Sequence, residues 1–183
     1  MKIRTFLALK LPQTIRNKLS AHVELISGHD KLQQIRWLPK ENYHLTLVFL
    51  GNVERVLISS LQLNLEQNLS FIKAFPFRFS EITPFPFSGT PKIAAAMLEY
   101  SDELVQLQHK TAKCVSVFGI SLERRCFTPH VTLGRLKFPS RKSMSFQPQQ
   151  IHLEGVFEKV VLFQSDLSPK KTAYTSLGEI SLT

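Results

Sequence analysis

Four residues in two short stretches have the types and spacing that chemistry needs. His44 and Thr46 stand in HLTL, and His130 and Thr132 stand in HVTL, close to half the chain further on. Imidazole has an unperturbed pKa of about 6.5, so one ring of a pair can take a proton while the other gives one. Side chains of an extended strand alternate between faces, which puts His44 with Thr46 on one face and Leu45 with Leu47 on the other. His130/Thr132 and Val131/Leu133 divide the same way. Each threonine lies roughly 6 to 7 Å along the strand from its histidine, so both can touch one phosphate. Two bases and two hydroxyl donors can surround a phosphodiester without a metal or a cofactor.

A single histidine on a strand is more often a packed or solvated residue than a catalyst. Repetition changes that reading, because a core would place an apolar residue at the histidine position of both strands. A metal site built on the two histidines lacks a nearby carboxylate or cysteine cluster to complete its shell. Nucleophilic catalysis has no GxSxG elbow and no cysteine evidently paired with a motif histidine.

The elements that must hold these strands can be read from the hydrophobic period. Ile3 to Leu11 reads as a strand and Thr14 to Ile26 as a helix ended by Gly28, with Ile15, Leu19, Val23 and Ile26 on its buried stripe. Ile35 to Leu38 is a short strand, and the HLTLVFLG strand is expected to stop at Gly51. A second helix is expected over Val53 to Leu69 and a third over about Ser101 to Phe118. Strands fall at Phe75 to Phe79, Lys92 to Leu98 and around HVTL. Lys137 to Gln150 reads as a loop, and two closing strands follow, Gly155 to Gln164 and Ala173 to Leu182. Strands paired between helices predict an α+β fold in two lobes, mostly antiparallel, with helices on the outer faces and a cleft between the lobes. No linker marks a boundary, so residues 1–183 are expected to form a single bilobal domain.

With 183 residues, 43% of them hydrophobic, the composition is that of a globular chain, and its net charge of +9 favours polyanionic partners. No apolar stretch approaches the roughly 20 residues that cross a bilayer, and Lys10 and Pro12 argue against a signal peptide. No membrane association is expected. The two cysteines, Cys114 and Cys126, have neither metal nor disulfide-framework spacing, which favours free thiols in a reducing cytoplasm.

WLPKENYHLTLVFLG (Trp37 to Gly51) and FTPHVTLGR (Phe127 to Arg135) resemble the two signature segments of the 2H phosphoesterases, and within them the RNA 2′,3′-cyclic phosphodiesterases, also called 2′-5′ RNA ligases. The resemblance extends to the opening strand RTFLALKLP. It implies a duplicated bilobal fold and metal-independent hydrolysis of an RNA terminal 2′,3′-cyclic phosphate to a 2′-phosphate, with reversible 2′-5′ ligation as a side reaction. It further implies His44 as general acid, His130 as general base, and Thr46 and Thr132 as phosphate ligands.

Arg135 is a further candidate for the phosphate. Strict alternation puts it on the face opposite His130, whereas a bulge at Gly134 would turn it back, and the resemblance favours the latter. Arg124, Arg125, Arg135, Lys137, Arg141, Lys142, Lys170 and Lys171 form a late basic band, suited to an RNA backbone or to a solvated rim. Trp37, Tyr43 and Phe87 are candidates for base stacking or for core. The expected partner is RNA with a cyclic phosphate end, tRNA fragments included, acted on by a monomer. A non-catalytic RNA-binding module, or a phosphodiesterase of small cyclic nucleotides or 2′-5′ oligoadenylate, are the competing readings.

Overall fold

Alternating apolar residues at both ends of the chain and around both motifs build one antiparallel sheet. A computed structural model describes residues 1–30, 33–122, 126–137, 146–167 and 172–183. Nine strands and three helices follow in the order β1 (Lys2–Lys10), α1 (Gln13–His29), β2 (Ile35–Trp37), β3 (His44–Glu54), α2 (Ile58–Leu69), β4 (Phe75–Phe85), β5 (Ile93–Leu98), α3 (Asp102–Ser116), β6 (His130–Leu136), β7 (Gln149–Phe157), β8 (Lys159–Leu167) and β9 (Thr172–Ser181). The expected α+β architecture is the observed one.

The sheet reads β7-β4-β5-β6-β3-β1-β8-β9, with β2 added on β6. Its middle is the junction of the two motif strands, β6 and β3, so each motif heads its own half. The halves correspond closely. In one, Ala8 of β1 pairs with Thr46 and Lys10 with His44; in the other, Ala95 of β5 pairs with Thr132 and Met97 with His130.

Helices cover one face. Ile15, Leu19, Val23 and Ile26 of α1 and Leu61, Leu65 and Leu69 of α2 are all buried in a continuous core with Leu45, Leu47, Val131 and Leu133. Helix α1, which follows β1, packs on β7 of the other half, and α3, which follows β5, packs on β3. The helices thereby cross-brace the halves. Ser101 caps α3 by accepting a hydrogen bond from the Leu104 amide at 3.2 Å, and Asp102 and Glu103 suit the positive end of its dipole.

Several expected bounds differ: α1 runs past Gly28 to His29, and α2 begins at Ile58, since Val53 and Glu54 belong to β3. Gly51 does not stop its strand: β3 runs on to Glu54, and Gly51 takes a φ of 70° beside a register shift against β1. A glycine in the left-handed region is what such a bulge requires, so a residue that punctuates many strands here bends one. Among the described residues three strands follow β6 instead of two, because the strand expected over Gly155 to Gln164 is broken at Glu158 into the end of β7 and most of β8. The stretch expected as loop lies mostly outside the described residues.

Candidate active site

The two motifs meet at one backbone pair, Leu45 with Val131, in antiparallel register. That register sets His44 across from Thr132 and Thr46 across from His130, with all four side chains on the face away from the helices. The leucines and valine of the motifs are buried on the helix side while the four polar residues are half-buried. Phe6, Ala8, Ala95, Met97 and Val161 are buried as well, yet stand apart from the helix-side core. They floor the cleft.

Both rings are held alike. His44 Nδ1 lies 2.7 Å from the Asn42 carbonyl oxygen and His130 Nδ1 lies 2.8 Å from that of Thr128. A carbonyl only accepts, so each Nδ1 carries a hydrogen and donates it, which leaves each Nε2 unprotonated in the neutral ring and able to accept. The bond from residue i to the carbonyl of i−2 is available because Asn42 ends a short 3-10 turn and Thr128 precedes Pro129, and both segments deliver the chain extended into the motif.

Aromatic rings surround His44. Phe6 lies 4.9 Å from it, Phe163 5.9 Å, and Tyr174 meets it edge-on at 5.0 Å between centroids. Burial there pushes the His44 imidazole down to about 4, against the pull of the Asn42 carbonyl, and the charges of His130 and Arg135 depress it further. His130 rests on Phe85 at 4.7 Å. Its pKa is also lowered by burial, which the Thr128 carbonyl opposes. Near neutral pH both rings are therefore unprotonated in the free protein.

Arg135 reaches the cleft face through a bulge. Ala95 pairs with Thr132 and Ala94 with Gly134, so Leu133 is an extra residue on β6. From there the alternation is shifted by one, and Arg135 joins His130 and Thr132 as an exposed residue on their face. Gly134 has its own reason to be glycine. A Cβ there would stand 2.5 Å from Ile35 Cγ2 and 2.9 Å from Trp37 Cε3, so the missing side chain lets β2 lie flush on β6. Among the described residues no group of three or more His, Cys, Asp or Glu is arranged to hold a metal ion.

The chain resembles known proteins along most of its length. The family described as LigT like Phosphoesterase matches residues 9–93. An RNA 2′,3′-cyclic phosphodiesterase of Thermus thermophilus is 31% identical over 98% of this chain and 90% of its own length. The chain belongs to the LigT-like phosphoesterase family. A protein of the same name from Thermotoga maritima is 27% identical, covering 97% of this chain and 94% of the relative. The crystal structure of TT0787 from Thermus thermophilus superposes with a TM-score of 0.83 at 27% identity, over 98% of each chain.

In this LigT-like phosphoesterase, strand period alone does not mark Phe49 as a residue of the motif face. Thr46 pairs with Ala8 and Val48 with Leu7, so β3 carries a bulge at Leu47 where β6 carries one at Leu133. Phe49 is consequently on the cleft face, 51% exposed, with its ring 5.9 Å from Phe6. It stands five residues after His44, as Arg135 stands five after His130, and that shared offset was the signal in the sequence. Tyr43 is buried in the core, Trp37 is half-buried 6.5 Å from Phe146, and Phe87 is exposed beside Phe85.

Of the late basic band, Arg135 and Lys137 are described and exposed. Arg124, Arg125, Arg141, Lys142, Lys170 and Lys171 lie outside the described residues. Cys114 is buried and Cys126 exposed, both free. No helix among the described residues is long and apolar enough to cross a membrane.

Proposed function

We propose that this phosphoesterase opens the terminal 2′,3′-cyclic phosphate of RNA by a histidine pair acting across the β3–β6 junction, leaving a 2′-phosphate. The observation that carries the reading is that junction itself: one backbone pair brings both histidines and both threonines to one face, with both Nδ1 atoms tied back and both Nε2 atoms without a hydrogen-bond partner among the described residues. The names of the relatives support the substrate.

The chemistry follows from the geometry. Thr46 and Thr132 donate hydroxyl hydrogens to the non-bridging oxygens, and Arg135 adds a charge-assisted contact. His130 Nε2 takes a proton from water as its oxygen attacks phosphorus. The P–O3′ bond breaks, and His44 Nε2 delivers a proton to the departing 3′ oxygen. His44 is neutral in the free protein, so it must acquire that proton as the phosphodiester anion binds and offsets the cost of a buried cation. The ring with the lower pKa then becomes the stronger acid. Metal is not needed for any of these steps. Run backwards, the same pair supports 2′-5′ ligation, since microscopic reversal exchanges acid and base.

Each chain carries both motifs, and in this reading the active unit is a monomer, one bilobal domain over residues 1–183. Any RNA fragment with this end is a substrate by this chemistry, tRNA fragments included, and the two free thiols suit a reducing cytoplasm. The test is turnover of a cyclic-ended oligonucleotide by His44→Ala, His130→Ala and the double variant. Each single change is expected to cost on the order of 10²- to 10⁴-fold in kcat, with little further loss in the double. Retained turnover in either single variant would remove that ring from the mechanism.

A further inference from the structure

The two halves of the sheet match in backbone register but not in charge. Beside His44, β1 places Lys10. Pairs between β1 and β8 run from Thr5 with Gln164 to Leu9 with Val160, and one step further this register brings Lys159 beside Lys10. Glu179 of β9 lies on the same face, since its partner Val161 pairs with Ala8, which pairs with Thr46. It fixes both lysines: Lys10 Nζ reaches Glu179 Oε1 at 2.8 Å and Lys159 Nζ reaches Oε2 at 3.0 Å. Those two bonds also hold the Glu179 carboxyl below its ordinary pKa.

The corresponding positions beside His130 are different. Met97 stands where Lys10 stands, and Glu81, the partner of Met97, stands where Lys159 stands. Gln150 donates to that carboxylate at 3.3 Å. One flank of the cleft therefore carries two cations held by a single carboxylate, and the other an apolar residue and an anion. Among the described residues, β1 and β8 therefore offer a polyanionic strand leaving the cleft a more favourable flank than β5 and β4 do.

We infer that Lys10 and Lys159, bridged by Glu179, form the subsite for the phosphate on the 5′ side of the terminal nucleotide, so that the RNA body leaves the cleft across β1 and β8. This inference rests on the proposed function and extends it to the length of the substrate. Strand spacing puts Lys10 about 5 Å and Lys159 about 10 Å from the His44 strand, and a four-carbon stem lets either ammonium reach a phosphate one nucleotide away. Each ammonium has three donors, of which Glu179 uses one. The direction agrees with the acid assignment. The 3′ oxygen departs on the His44 side, and the ribose that carries it also carries the 5′ connection to the rest of the RNA.

The experiment compares a nucleoside 2′,3′-cyclic phosphate, which lacks a 5′ phosphate, with a dinucleotide ending in the same cyclic nucleotide. For Lys10→Met/Lys159→Met, the ratio of kcat/KM for dinucleotide over mononucleotide should fall roughly tenfold, as expected for a lost charge-assisted contact, and the change should lie in KM. The slope of log KM for the dinucleotide against log salt should fall by about 0.7, because one phosphate is no longer neutralised and its counterion is no longer released. Glu179→Gln, which keeps both cations, should leave that ratio the same or raise it. An unchanged ratio in the double lysine variant, with its salt slope intact, overturns the subsite. No turnover of either substrate by the unaltered protein overturns the underlying reading and this inference with it.

Discussion

Acid should loosen this protein through His44, and the amount can be worked out. The imidazole sits among Phe6, Phe163 and Tyr174, and its pKa falls to about 4 in the folded chain against about 6.5 when unfolded. Between those values the unfolded chain binds a proton that the folded chain refuses. The stability contributed by the neutral ring is therefore full above pH 6.5 and is lost as the pH falls toward 4. Linkage puts the loss from this one group at about 2 kcal/mol at pH 5 and about 3 kcal/mol at pH 4, relative to pH 7. His44→Gln removes the titration while keeping a polar side chain that can face the Asn42 carbonyl. Urea unfolding of both proteins at pH 7, 5 and 4 isolates the term, because other titrating groups cancel in the difference. The unaltered protein should lose about 2 to 3 kcal/mol more than the variant across that range. Parallel pH profiles for the two proteins would refute the claim that burial holds this ring neutral.

Two further changes probe the bulges. Gly134→Ala puts a Cβ against Ile35 and Trp37, so β2 must shift; a loss of roughly 1 to 3 kcal/mol is expected, with kcat/KM falling as Arg135 leaves its place, and full stability with full activity would contradict the close packing. Phe49→Ala removes the exposed ring on the cleft face; loss of a base-stacking contact worth about 1 to 3 kcal/mol should raise KM for a nucleoside cyclic phosphate about tenfold or more with kcat nearly unchanged, and an unaltered KM would exclude stacking there.

Much of the site was legible because its residues obey simple periods. His44, Thr46, His130 and Thr132 lie where strand alternation puts them, and Leu45 and Val131 between them are buried as the pattern demands. Legibility ended one residue later. Backbone bulges at Leu47 and Leu133 shift the alternation, so Phe49 and Arg135 face the cleft although the count from each histidine says otherwise. A bulge adds no special residue to the sequence at the point of insertion. Gly51 misled for a related reason: the left-handed conformation it provides serves a bend within a strand as well as a strand's end. Lys10 read only as a polar break in an apolar run. Its meaning came from pairing with His44 and from the ion pair with Glu179, a contact between opposite ends of the chain that no local pattern announces.

The central claim is that the face built at the Leu45–Val131 pair breaks the P–O3′ bond of a cyclic phosphate with its own side chains. Its most direct test is to incubate the protein with a short RNA ending in a 2′,3′-cyclic phosphate in excess EDTA and to identify the product by phosphorus NMR. The account predicts ring opening to the 2′-phosphate at an undiminished rate. A 3′-phosphate product would contradict the assignment of the departing oxygen, and an intact ring would contradict the claim itself.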